Sequence, residues 1–142
     1  MTTRAAARLV GLFALALAAC TGGERRAENR LYTEDFVIRV SSEPTPPRAL
    51  EQIRYRVVVR DKETGEPIET GEGRIFATNE DRKSIHNGFT KGEEAGTYYT
   101  TLFFATAGSW AMGIQFRRDS TQQLERTLDW MQDVLGATPP GK

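Results

Sequence analysis

The stretch Ile53-Arg54-Tyr55-Arg56-Val57-Val58-Val59-Arg60 alternates apolar and cationic side chains over most of its length. Successive side chains of a β-strand point to opposite faces of the sheet, so this period of two predicts a strand with one buried face. Aromatic and β-branched residues also favour strands. The predicted buried face consists of Ile53, Tyr55, Val57 and Val59, and the predicted outer face carries Arg54, Arg56 and Arg60.

The same period occurs earlier, where Phe36, Ile38 and Val40 alternate with Val37, Arg39 and Ser41. Three prolines in residues 43–47 end that strand, because proline cannot donate to a ladder. Further extended segments are predicted at residues 73–79, 97–106 and 109–118.

Turn residues separate these segments. Within residues 61–68, Gly65 can adopt a positive φ and Pro67 marks the exit, which predicts a hairpin connection. Ala107-Gly108 predicts a tight turn. Five or more strands with no helix among them favour an antiparallel β-sandwich over residues 34–118.

Residues 119–142 show a different pattern. Ser120 and Gln123 form a predicted capping box, and Gly136 suits a helix end. A stripe at helical spacing is formed by Leu124, Leu128, Met131 and Leu135. We therefore expect a C-terminal α-helix that either packs on the sandwich or binds a partner with Trp130 as its anchor.

The N-terminus resembles a bacterial lipoprotein signal over residues 1–19. Arg4 and Arg8 precede an apolar stretch, which ends in Leu17-Ala18-Ala19-Cys20. This resemblance implies cleavage before Cys20 and lipidation of its thiol. About 11 apolar residues reach roughly 16 Å, too short for a hydrocarbon core of about 30 Å. An ordinary secretory signal is the alternative.

Residues 20–33 are predicted to be the lipidated cysteine and a flexible tether, because they contain few apolar side chains. About 13 flexible residues would reach roughly 20 Å. We expect the protein to lie in the bacterial cell envelope, attached to a membrane by its lipid and facing the periplasm or extracytoplasmic space.

Charge and composition narrow the function. The chain has 19 basic and 19 acidic residues, and removal of Arg4 and Arg8 with the signal leaves a slight negative excess. We therefore expect no nucleic-acid partner. Cys20 is the only cysteine, so a lipidated form has no thiol for a disulfide, a zinc site or a nucleophile.

The order of motifs resembles the immunoglobulin-like FixH and YtkA-like family of bacterial envelope proteins over about residues 53–117. The motifs are Asp61 with Thr64-Gly65-Glu66-Pro67-Ile68, a loop with His86, Gly96-Thr97-Tyr98-Tyr99, and Gly108-Ser109-Trp110. The resemblance implies an immunoglobulin-like sandwich. It also implies an association with copper handling or with assembly of respiratory oxidases.

His86 is the candidate metal ligand that this resemblance suggests. Copper(I) favours thioether and imidazole ligands, but the loop at residues 78–88 contains no methionine. The alternative for His86 is a loop residue with ordinary hydrogen bonds. The sequence indicates no cofactor.

An enzymatic function is not expected. His86 lies near Ser84 without a nucleophile-elbow motif, and no phosphate loop or His-Glu-x-x-His helix occurs. The acidic pairs Glu80-Asp81 and Glu93-Glu94 lie in charged loops, where solvated carboxylates are expected.

Aromatic residues at 97–106 give the last indication. Tyr98, Leu102 and Phe104 would share one face and Tyr99 and Phe103 the other, which predicts a strand covered on both sides. If the helix does not cover it, the Tyr99 and Phe103 face becomes a docking site. We expect a noncatalytic module that binds or helps assemble another envelope protein, with copper handling as the alternative.

Overall fold

The computed structural model describes residues 27–141, so the signal segment and Cys20 lie outside the described residues. Within this range the chain forms ten strands and no helix, and therefore no helix there is long and apolar enough to cross a membrane. The strands are β1 (Glu28–Tyr32), β2 (Phe36–Glu43), β3 (Gln52–Asp61), β4 (Glu72–Asn79), β5 (Ser84–Gly88), β6 (Thr90–Lys91), β7 (Thr97–Phe103), β8 (Gly108–Arg117), β9 (Glu125–Arg126) and β10 (Trp130–Val134).

The strands form two antiparallel sheets. The first has the order β1-β2-β3-β7-β6, and the second has the order β10-β8-β4-β5 with β9 also paired to β8. The chain is thus mainly β, and this layout is consistent with the predicted sandwich.

One hydrophobic core lies between the two sheets. The ring of Phe36 in β2 packs edge-on against Phe116 in β8 at 5.0 Å between centroids. Tyr98 in β7 also contacts Phe116, at 5.4 Å. Because these pairs join the first sheet to the second, burial of apolar surface holds the two sheets face to face.

The predicted strands at β2 and β3 are confirmed. Ile53, Val57 and Val59 are fully buried and Tyr55 is 1% exposed, whereas the arginines of β3 lie on the outer face. β2 ends at Glu43, directly before the proline-rich run.

The hairpin predicted at residues 61–68 is present only as a tight turn with a single bridge between Arg60 and Pro67, and it does not pair β3 with β4. The Asp61 carboxylate accepts hydrogen bonds from the amides of Glu63 and Thr64, both at 2.8 Å. Gly65 has a φ of 75°, which a glycine adopts without a Cβ clash. After this hairpin the chain crosses to the second sheet and begins β4.

The turn at Ala107-Gly108 connects two different sheets. β7 belongs to the first sheet and β8 to the second. Gly108 has a φ of 122°, a conformation that glycine permits. The sequence predicted the turn without indicating this change of sheet.

The predicted C-terminal helix is wrong. Residues 125–126 and 130–134 instead form β9 and β10 along the edge of β8. Between these strands, the Thr127 hydroxyl accepts a hydrogen bond from the amide of Ile114, and the Thr127 amide donates to its carbonyl. A helix would leave these backbone groups of β8 without those partners.

Part of the predicted tether is also corrected. Residues 28–32, which composition assigned to a flexible tether, form strand β1 and pair with β2. Leu31 of this strand packs against the core. The ladder with β2 and this contact order a segment whose own apolar content is low.

β7 is not covered on both sides as predicted. Its inner face is buried through Tyr98 and Leu102, but Phe103 on the outer face is 44% exposed. No helix lies over this face in the part of the chain that the structure describes, since the segment expected to cover it is a strand of the second sheet.

Candidate functional site

A cleft opens between the sheets where β1 and β2 face β10. We call it the edge cleft. Its volume is about 190 Å³. It is lined by Ala27, Asn29, Val40, Ser41, Ser42, Thr45, Tyr55, Trp130, Met131 and Gln132.

Strand register places the main side chains of the cleft. Ser42 of β2 lies opposite Tyr55 of β3, and Trp130 of β10 lies opposite Met112 of β8. Because Tyr55 points into the core from one sheet and Trp130 packs against that core from the other, the two aromatic side chains line the cleft from opposite sheets.

Two buried polar groups beside the cleft have no hydrogen-bond partner among the described residues. They are the hydroxyl of Tyr55 and the Nε1 of Trp130. By contrast, the Nε1 of Trp110 donates to the carbonyl of Thr106 at 3.2 Å. Burial raises the pKa of Tyr55, so the hydroxyl stays protonated. Both groups could donate to an acceptor that reached them.

The free edge of the second sheet carries an apolar surface. We define the C-terminal edge as residues 124–135, which contain β9 and β10. The four residues that were predicted to form a helical stripe are all exposed here. Leu124 is 41% exposed, Leu128 86%, Met131 64% and Leu135 39%. The stripe therefore faces solvent.

Leu128 and Asp129 interrupt the C-terminal edge. They pair with no residue of β8. Before them in the chain, β9 pairs with β8, and after them, β10 pairs with β8. Asp129 accepts a hydrogen bond from Arg126 at 3.0 Å. A bulge of this kind breaks the regular ladder, and here it leaves Leu128 in solvent.

Tyr99 and Phe103 lie on the same outer face of β7, as predicted, but their surroundings differ. The guanidinium of Arg54 lies 4.1 Å from the centroid of the Tyr99 ring, so this half-buried side chain is engaged in a cation–π contact. Phe103 is exposed near Leu50, whose amide donates to the carbonyl of Phe104 at 2.8 Å.

His86 is not a loop residue. It lies on β5, opposite Phe76 of β4, and its side chain is exposed on the outer face of the second sheet. Met131 lies on the same face but on β10, three strand spacings away, which is about 14 Å. Met112 is fully buried. These side chains are not brought together.

The residues that the structure describes contain no group of three or more His, Cys, Asp or Glu placed to hold a metal ion. The imidazole of His86 therefore has no such cluster around it. Soft ligands for copper(I) would have to come from methionine or cysteine.

Sequence reasoning missed a group of cations on the outer face of the first sheet. Arg30, Arg39, Arg60 and Lys62 line a concavity of about 150 Å³ together with Val37, Val58, Asp61 and Gly65. We call it the arginine concavity. The alternation in β2 and β3 placed Arg39 and Arg60 on the outer face, but Arg30 had been assigned to the tether.

Comparison of the chain with family models, curated proteins and solved structures finds no match in any of the three.

Proposed function

We propose that the chain is a lipid-anchored, noncatalytic protein of the bacterial envelope that binds or helps assemble another envelope protein through its C-terminal edge. The observation that carries this proposal is the exposure of Leu128 and Met131 on the edge of a sheet. Exposed apolar side chains that cluster on a surface are typical of interaction sites.

The backbone of β10 supports the same role. In the described part of the chain, β8 is the only strand that pairs with β10. A partner segment could add to the outer side of β10 as a further strand, because an edge offers unpaired amides and carbonyls. A partner could not pair with Leu135 itself, because the Leu135 amide already donates to the carbonyl of Pro47 and its carbonyl accepts from the amide of Ala49.

The edge cleft would lie beside such a partner. Trp130 belongs both to β10 and to the cleft wall, so Trp130 is the anchor residue that we propose for the contact. The Trp130 Nε1 and the Tyr55 hydroxyl are buried without a partner among the described residues, so an acceptor on the partner would reach them only if the cleft widened on binding.

The membrane anchor in this proposal is the predicted lipid on Cys20. Glu28, where β1 begins, lies eight positions after Cys20 in the chain. A fully extended chain of this length spans at most about 28 Å. If Cys20 is lipidated, the folded domain is held close to the membrane surface, where an envelope partner would be met.

We infer further that the two-sheet fold is an immunoglobulin-like sandwich of the FixH and YtkA-like kind. In support, the 61–68 hairpin, Gly96 before β7 and Gly108 at the start of β8 all lie at turns or strand starts, as the resemblance implies. Copper handling remains the alternative proposal, and no described contact of His86 favours it.

The test is capture of the partner by the lipidated protein in bacterial membranes, using chemical cross-linking. We expect one envelope protein to be captured by the wild type and lost in the double variant Leu128→Glu, Met131→Glu. The matched control is Leu50→Glu, because Leu50 is also an exposed leucine, at 59%, but lies outside the C-terminal edge.

Circular dichroism would establish that each variant is folded. Equal capture by the wild type and the double variant would overturn the proposed surface. A mass spectrum of the membrane form that shows unmodified Cys20 would overturn the anchor.

A further inference from the structure

We propose that the arginine concavity binds the phosphate group of an anionic lipid headgroup. This inference depends on the proposed lipid anchor in one respect only, because the anchor is what makes the membrane the source of the phosphate. The site is separate from the C-terminal edge, because it lies on the outer face of the first sheet rather than on the edge of the second.

The cations of the concavity are not neutralised by described carboxylates. Arg30 and Arg39 lie directly opposite each other on β1 and β2, and like charges in that position repel. Neither forms an ion pair with a described residue, whereas Arg56 on the same face pairs with Glu94 at 2.8 Å. An anion bound between Arg30 and Arg39 would relieve their repulsion.

The carboxylate that lines the concavity is already satisfied. Asp61 accepts hydrogen bonds from the turn amides of Glu63 and Thr64, and it forms an ion pair with Arg118. The Asp61 carboxylate is therefore compensated by these partners, and the four cations of the arginine concavity can interact with an external anion.

Two of the cations are held in place by backbone carbonyls. Arg60 Nη1 donates to the carbonyl of Gly65 at 2.9 Å, and Lys62 Nζ donates to the carbonyl of Thr33 at 3.1 Å. Each of these groups retains further N–H donors. Side chains that are already ordered lose less conformational entropy when a ligand binds.

Residue types in the concavity fit the phosphodiester of a lipid. Guanidinium groups bind phosphate oxygens through two parallel hydrogen bonds. The half-buried Val37 and Val58 provide an apolar floor between the cations. A lipid headgroup offers both the charged group and the apolar glycerol and acyl portion that such a floor can contact.

The position in the chain supports a membrane source. Arg30 lies ten residues after Cys20, so it can be at most about 35 Å from the lipid attachment point. Basic side chains near an anionic bilayer are attracted to it, and this attraction falls off within a Debye length. If Cys20 is lipidated, the concavity can therefore reach the headgroups.

The experiment uses residues 20–142 with Cys20→Ser, which contain every described strand and the whole core but carry no lipid. Sedimentation would measure binding to vesicles of phosphatidylcholine alone and to vesicles that also contain phosphatidylglycerol. We expect binding only to the second kind, and we expect it to weaken as salt rises.

The variant Arg30→Gln, Arg39→Gln should bind the anionic vesicles about 25-fold more weakly, since each basic side chain near the surface contributes about fivefold. The matched control is Arg74→Gln, Arg117→Gln. It removes the same charge from the outer face of the second sheet, where Arg74 and Arg117 are hydrogen bonded to Gln115 and Glu72. Its binding should be unchanged.

Equal binding to both kinds of vesicle, or equal losses in the two double variants, would overturn the proposal. Competition gives a second test, in which glycerol phosphate or an acidic peptide is added to the wild type and the vesicles. The proposal would also be overturned if either competitor removed the binding and the protein showed no preference for anionic vesicles. Because this chain has no lipid and an unaltered C-terminal edge, such failures leave the proposed function standing. That function fails instead if membrane cross-linking captures no protein.

Discussion

The guanidinium of Arg118 donates a hydrogen bond to the carboxylate of Asp61. Arg118 directly follows β8 in the second sheet, whereas Asp61 ends β3 in the first. The same carboxylate also accepts from the hairpin amides of Glu63 and Thr64. One side chain therefore orders the hairpin and ties the two sheets together at this end of the domain.

Acid should weaken this link. The Thr64 amide, followed by Arg118, lowers the pKa of Asp61 to about 2. A carboxyl group with a depressed pKa in the folded state stabilises the fold above its ordinary pKa, and this contribution is lost as the pH falls from about 4 towards 2. Asp61→Asn should be less stable at pH 7 and lose less stability in this interval. Urea unfolding at a series of pH values measures both effects.

The control for this comparison is Asp81→Asn, which makes the same chemical change at an exposed site in the β4–β5 turn. Its stability should follow the wild type at each pH. Parallel curves for Asp61→Asn and the wild type would show that the carboxylate does not make this contribution.

Tyr98→Phe should destabilise the fold by about 1–3 kcal/mol. The Tyr98 hydroxyl donates to the carbonyl of Ile68 at 2.6 Å and accepts from the amide of Gly71 at 3.0 Å. Phenylalanine would fill the same space but leave both backbone groups without this partner. Thermal and urea unfolding measure the loss, and Tyr32→Phe is the control because Tyr32 is 51% exposed.

Gly113→Ala should cost about 1–3 kcal/mol through overpacking. A Cβ at Gly113 would come within 2.2 Å of the Phe76 ring, and the guanidinium of Arg126 lies 4.6 Å from the centroid of that ring. Gly88→Ala is the matched control in the same sheet, where the new Cβ would be 3.9 Å from its nearest neighbour. Equal unfolding midpoints for the two variants would contradict the close packing of Phe76.

The strand at the C-terminus can be distinguished from a helix by two substitutions. Thr127→Val should destabilise by about 1–3 kcal/mol, because the buried Thr127 hydroxyl accepts from the Ile114 amide at 3.0 Å. Leu128→Asp should change stability by no more than about 0.5 kcal/mol, because Leu128 is 86% exposed. A helix packed through Leu128 would give a large loss for Leu128→Asp. Urea unfolding decides between them.

His86→Ala tests the copper alternative. Because His86 and Met131 are separated by three strand spacings and Met112 is buried, we expect the same isothermal titration with copper(I) for His86→Ala and the wild type. Met131→Leu serves as the second variant. Submicromolar binding by the wild type that His86→Ala abolishes would make copper handling the better proposal.

Regular alternation was the most informative sequence feature. Residues 53–60 predicted their own burial correctly, because a core on one face forces a period of two. The hairpin at residues 61–68 was also predictable, since Asp61 and Gly65 are typical turn residues with local hydrogen bonds. Features that depend on neighbours along the chain were therefore visible.

The sequence did not reveal features that depend on pairing between strands that are distant in the chain. The spacing of Leu124, Leu128 and Met131 is typical of a helix, but the free edge of β8 provides backbone partners that only an extended segment can use. β1 was missed for a similar reason, since its order depends on pairing with β2. Among the residues of the edge cleft, the sequence indicated Trp130 as a candidate. Tyr55 was correctly predicted as a core residue, and this gave no sign that its hydroxyl lies beside a cleft.

The arrangement of the outer strands has a practical consequence for labelling. β1 and β10 are edge strands of different sheets, yet Ala27, Asn29 and Trp130 line the same cleft. An affinity tag fused to the C-terminus would therefore compete for space beside the edge cleft and the C-terminal edge. The exposed turn between β4 and β5, at the opposite margin of the second sheet, is the better insertion point for a tag or a fluorophore.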